Sequence, residues 1–179
     1  VISLPDGFFK MSIPERVAEF NRRAITKHMP IEILHGDLLC GARFNLLTSM
    51  CLTKKEQKER DTLTAKARDS ALLLYKRGYG NSGSTSGHLI PDYEYILKYG
   101  FEKKYKDIEA LYDTMPETDK KGKKGSQLRA MMTACLTPKE LSAKYAVLCR
   151  KEAEEEKDEK RRLELLHMAE NMERVPWHG

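Results

Sequence analysis

Residues 137–172 read TPKELSAKYAVLCRKEAEEEKDEKRRLELLHMAENM. Thr137 followed by Glu140 has the pattern of a helix start in which hydroxyl and carboxylate cap each other's backbone N–H groups. Pro138 suits a first turn, where its missing N–H would be unpaired anyway. The stretch therefore predicts one helix from Thr137 to about Met172. Its middle, Lys151–Arg162, is almost all charged, whereas Leu163, Leu166 and Met172 return to an apolar stripe. Such a helix is expected to leave the body of the protein and dock its tip elsewhere.

The segments upstream read the same way. A helix is predicted over about Ser126–Leu136, preceded by a loop over Met115–Gly125. Another begins at Pro91, pauses at Gly100 and resumes through Tyr105, Ile108, Leu111 and Tyr112. A helix from Thr53 to about Arg77 is charged over Lys54–Asp61 and is expected to bury Leu63, Ala67, Ala71, Leu74 and Tyr75. Before it, Leu39, Ala42, Leu46 and Met50 make one stripe of a helix over about Asp37–Cys51. Ser12 and Glu15 form a capping pair at the start of a helix whose face carries Val17, Phe20, Ala24 and Ile25, ended by Pro30. Six-residue runs starting at Cys51 and Cys135 resemble each other, because two Thr-capped helix starts look alike.

These readings give an all-α protein of five to seven helices in helical hairpins, with an extended N-terminal arm and a long charged C-terminal helix. The arm covers residues 1–11, an N-terminal helical region 12–78, a flexible Gly/Ser loop 79–90 and a C-terminal helical region 91–179. Phe8 and Phe9 in the arm need a surface to bury against. The length of 179 residues suits one domain or two small lobes.

Composition excludes several classes. The longest purely apolar run, Ala71–Tyr75, is far short of the ~20 residues that span a bilayer, so no transmembrane segment is expected. At 40% hydrophobic the chain is not globally disordered, and four cysteines are too few for a disulfide scaffold. The formal net charge is +5; the surplus lies mid-chain and the last residues are acidic. The densest basic cluster, Lys120, Lys121, Lys123 and Lys124, could meet phosphate or anionic lipid head groups, or simply be solvated.

No catalytic signature stands out. The cysteines (40, 51, 135, 149) and histidines (28, 35, 88, 167, 178) form no C-x-x-C or H-x-x-x-H pair. Gly80–Gly87 lacks the Gly-Lys-Ser/Thr ending of a phosphate loop, and no G-x-S-x-G occurs. Tyr75–Gly80 interleaves aromatic and basic residues, as a nucleic-acid contact would, but also reads as a helix end with a Gly cap. These residues call for no metal, cofactor or catalytic group.

Asp107-Ile108 leads to Met115-Pro116; Arg129-Ala130-Met131 follows; Leu136–Glu140 makes a corner, and Lys151–Arg162 a charged tail. Over about residues 107–162 this order resembles the small matrix-side, cytochrome b-binding subunit of ubiquinol–cytochrome c reductase, respiratory complex III. Lys120, Lys121, Lys123 and Lys124 stand where that family has arginines. The resemblance implies a non-catalytic accessory subunit of an electron-transport complex, peripheral on the matrix side of the mitochondrial inner membrane. Its partners would be protein subunits and anionic lipid, with Phe8, Phe9, Arg129, Leu163 and Leu166 as partner contacts. The alternative is a nucleic-acid-associated helical protein, a ribonucleoprotein or viral component, using the basic middle segment.

Overall fold

A computed structural model describes residues 2–40, 52–77 and 91–179. Among these, six α-helices and no strand occur: α1 (Ile13–Arg23), α2 (Lys54–Lys76), α3 (Tyr93–Asp113), α4 (Glu117–Lys121), α5 (Lys123–Glu155) and α6 (Glu159–Arg174). The all-α expectation holds. A 3-10 turn (Phe8–Lys10) precedes α1 and a π-helical turn (Ala24–His28) follows it. The expected helix over Asp37–Cys51 is not seen at 37–40, which are non-helical; its remaining residues, and the Gly/Ser loop, lie outside the described residues.

The chain divides into two compact units, Val1–Thr48 with Asp92–Gly179, and Ser49–Pro91. In the second, α2 starts as the sequence predicts. The Thr53 hydroxyl and backbone N–H both donate to Glu56, and Glu56 N–H donates back to the hydroxyl. Its Leu63, expected to be buried, is 71% exposed.

In the first unit α5 is the centre, with α1, α3, α4 and α6 packed along it. The capping pair at Ser12 and Glu15 is formed, with Pro14 in the first turn of α1. Phe20 and Ala24 of the predicted face are buried. The pause in α3 is real: Gly100 has φ 72° inside the helix, a left-handed turn that costs glycine least. There the N–H groups of Phe101 and Glu102 donate to the carbonyls of Pro176 and Trp177. A side chain on Gly100 would strike that Trp177 carbonyl.

The quoted stretch folds differently from its reading. Thr137 and Pro138 do not start a helix; α5 runs through them from Lys123 to Glu155. A proline inside a helix costs about 3 kcal/mol. Here α5 buries Ala130 and Cys135 on one side of it and Ser142, Tyr145 and Ala146 on the other. The capping pattern was thus a local coincidence. The chain then breaks inside the charged run. The Glu156 carboxylate accepts from the N–H groups of Lys157 and Asp158, and Asp158 caps α6 by accepting from Lys160. α6 turns back onto α5 instead of leaving the body. Cys149, Ala153, Leu165, Met168 and Ala169 form one apolar seam between them.

Candidate functional site

Two constructions tie distant parts of the first unit to α5. One is polar and centred on Arg129. Its guanidinium donates through Nε to Glu15 Oε1 at 2.7 Å. Through Nη1 it donates to the Tyr112 hydroxyl at 3.2 Å and the Lys120 carbonyl at 2.8 Å. One side chain thus joins α1, α3, α4 and α5. Burial works to raise the Glu15 carboxyl, but the Ser12 hydroxyl, Arg129 and the Ser12 N–H outweigh it and hold it below its ordinary value of 4.5. Gly125 lets α4 approach, since a side chain there would meet the Lys120 backbone. A second guanidinium–carboxylate pair, Arg22 with Glu140, joins α1 to α5 further along.

The other construction is a strap. Residues 29–40 run without helix along the α5–α6 hairpin. Lys144 Nζ donates to the Met29 carbonyl at 3.3 Å. Arg161, nearly buried, donates to the Asp37 carbonyl at 2.7 Å and the Leu34 carbonyl at 3.4 Å, and pairs with Glu164 at 3.1 Å. Beside Arg161 is a cleft of about 410 Å³ that carries both signs of charge, with Lys157 and Arg161 against Glu152, Glu155 and Glu156, and His35 in its wall. Ile33 and Leu165 belong both to its wall and to the apolar seam. In that seam the thiols of Cys40 and Cys149 lie 3.7 Å apart. Burial pushes the Cys40 thiol up to about 12, helped by its hydrogen bond with Cys149, and burial also raises Cys149. The Tyr145 hydroxyl is buried without a hydrogen-bond partner among the described residues.

The residues singled out from sequence fall apart in space. Phe8 is buried at 2% exposure, whereas Phe9, edge-on to it at 5.2 Å, is 54% exposed. Leu166 packs against the seam and Leu163 faces outward. Lys120 pairs with Glu117 at 3.1 Å and lies over the Tyr112 ring. Lys124 pairs with Asp119 at 3.3 Å, Lys121 closes α4 and Lys123 opens α5. The four lysines thus share one corner, and two of them have local carboxylates. Arg129 alone anchors a tertiary network. Sequence reasoning missed Glu15's partnership with it, Arg161, and the Cys40–Cys149 pair. Glu15 was already explained by its cap, and the other two depend on residues more than a hundred positions away.

The comparisons with known proteins place the chain. A model of the pyruvate formate lyase-like family matches residues 51–179, and the chain belongs to that family. Isethionate sulfite-lyase of Desulfovibrio desulfuricans is 40% identical over 90 residues, covering 49% of this chain and 11% of that protein. The fold is shared with a structure of 1,2-propanediol dehydration in Roseburia inulinivorans, with TM-score 0.74, 18% identity, and coverage of 94% of this chain and 25% of that one. Hydroxyproline dehydratase of Clostridioides difficile, with trans-4-hydroxy-L-proline bound, gives TM-score 0.69 and 25% identity, covering 94% and 27%. The glycerol-bound B12-independent glycerol dehydratase of Clostridium butyricum gives 0.68 and 15%, covering 97% and 28%. This chain thus spans about a quarter of those structures and a ninth of the curated relative.

These findings overturn the complex III reading. The chain is not identified with the cytochrome b-binding subunit. The accessory-subunit function falls with that reading, as do its nucleic-acid alternative, the expectation that the protein is not an enzyme and the mitochondrial, matrix-side placement. The family and the bacterial relative carry the names of lyases instead. The structure shows why the resemblance misled. Its supposed corner at Leu136–Glu140 is the uninterrupted middle of α5, and its supposed tail, Lys151–Arg162, is split between the end of α5 and the start of α6 by a break at 156–158. Among the described residues, no helix is long and apolar enough to cross a membrane.

Proposed function

We propose that this chain forms an all-α segment of an elimination lyase, an enzyme that removes a small group such as sulfite or water from a small hydroxylated compound. The supporting observation is the 40% identical stretch shared with isethionate sulfite-lyase, together with a family match that runs over residues 51–179. Hydroxyproline dehydratase, at 25% identity over nearly the whole chain, supports the same class. On this reading the segment's part is positional: the Arg129 network and the α5–α6 seam hold one rigid helical body against which a reacting centre can be built.

The test is a comparison of two extracts of the source organism, one with the gene that carries this chain and one from which it is deleted. Both are offered isethionate, glycerol, 1,2-propanediol and trans-4-hydroxy-L-proline, and sulfite release or the dehydrated product is followed by mass spectrometry. The expected result is conversion of at least one compound that disappears on deletion and returns on complementation. Equal rates for all four compounds in both extracts would overturn the proposal.

A further inference from the structure

We infer that Cys40 and Cys149 are an oxidative modification site, which a hydroperoxide converts into a disulfide that fastens the 29–40 strap to α5. The two sulfurs are already in contact at 3.7 Å, and they need to close to about 2.05 Å to bond. They differ in access. Cys149 is wholly buried in the seam with Ala153, Leu165, Met168 and Ala169, whereas Cys40 is only half-buried. Cys40 is therefore the sulfur that meets the oxidant, and Cys149 the one that resolves it. The strap is held in place ahead of Cys40, by Lys144 on the Met29 carbonyl and by Arg161 on the carbonyls of Leu34 and Asp37. Bridging thus needs a small closure of a segment already in place.

The chemistry balances with one hydrogen peroxide. Cys40 thiolate attacks one peroxide oxygen; the S–O bond forms, the O–O bond breaks, and the departing hydroxide takes up the thiol's proton as water. Cys149 then attacks the Cys40 sulfur; the S–S bond forms, the S–O bond breaks, and the hydroxyl leaves with the Cys149 proton as a second water. The thiols lose two electrons and the peroxide gains them. Only the thiolate attacks, and burial disfavours it. The site is accordingly slow at neutral pH and answers to sustained oxidant.

The full chain, purified reduced, is exposed to graded hydrogen peroxide and read by intact mass and disulfide peptide mapping. The expected product lacks two hydrogens and joins the Cys40 and Cys149 peptides, and it melts at higher temperature than the reduced form. It forms equally in C51S and C135S and is absent from C40S. In C149A, dimedone traps a sulfenic acid at Cys40. Formation should speed up about tenfold per pH unit between pH 7 and 9, following the thiolate fraction. A bridge from Cys40 to Cys51, a wild-type chain with no bridge, or a bridge surviving C40S would each overturn the inference. The wild-type map and C40S decide it even if loss of buried Cys149 prevents folding.

Discussion

The α5–α6 seam and the Arg129 network do the same job with opposite means. The seam joins two helices through side chains that have no charge and little direction, and its members are almost completely hidden from water. The network joins four helices through one guanidinium that is 37% exposed, and every bond in it has a fixed partner and angle. The seam supplies stability; the network supplies register, because the Nε and Nη1 bonds of Arg129 hold α1, α3 and α4 at fixed positions. Energetically they should separate cleanly. Apolar burial is indifferent to protons, whereas a carboxylate held in its charged form is not.

The largest break in that comparison should come from Leu165→Ala, which empties a 2% exposed position in the seam. A loss of about 3 kcal/mol in denaturant unfolding is expected, equal at pH 4 and pH 7. Arg129→Ala should cost less, about 2 kcal/mol, because water reaches part of the guanidinium. Its cost should depend on pH. The Glu15 carboxyl is held below 4.5, so its stabilisation is complete above that value and is lost as pH falls through the folded-state value. The gap between wild type and Arg129→Ala should therefore narrow in acid, which urea titrations at several pH values would show; a pH-independent gap would mean that Arg129 acts through packing and its bonds to Tyr112 and Lys120, not through Glu15. The smallest effect belongs to Arg150→Ala. This residue pairs with Glu173 at 2.7 Å across the same two helices, but with both side chains about half exposed. At most about 0.5 kcal/mol is expected in thermal melts, vanishing in high salt.

What could be seen in the sequence was what neighbouring residues decide. Ser12 and Glu15 sit three apart and announce a helix start; Gly100 announces a break in one. The same local rule failed at Thr137-Pro138, where the pattern of a start is overruled by packing on both sides. It failed again at Glu156–Asp158, where a charged run that reads as continuous helix bends because α6 has a face to bury. Arg129 stood out, yet its partner Glu15 is 114 positions away, and Cys40 and Cys149 are 109 apart. No periodicity carries information over such spans. The family was equally hidden, since no compact motif in the sequence announces it.

The break at Gly100 has a consequence for the order in which the molecule can be made. By leaving the helix there, the chain needs acceptors for Phe101 and Glu102, and it finds them on Pro176 and Trp177, some seventy-five residues later in synthesis. The Trp177 ring, 6.0 Å from Tyr105 and under Lys139, then seals the junction. While the ribosome is still translating α5 and α6, the carbonyls that close the joint in α3 have not yet been made. The N–H groups of Phe101 and Glu102 can reach them only when the residues after α6 have emerged and folded back.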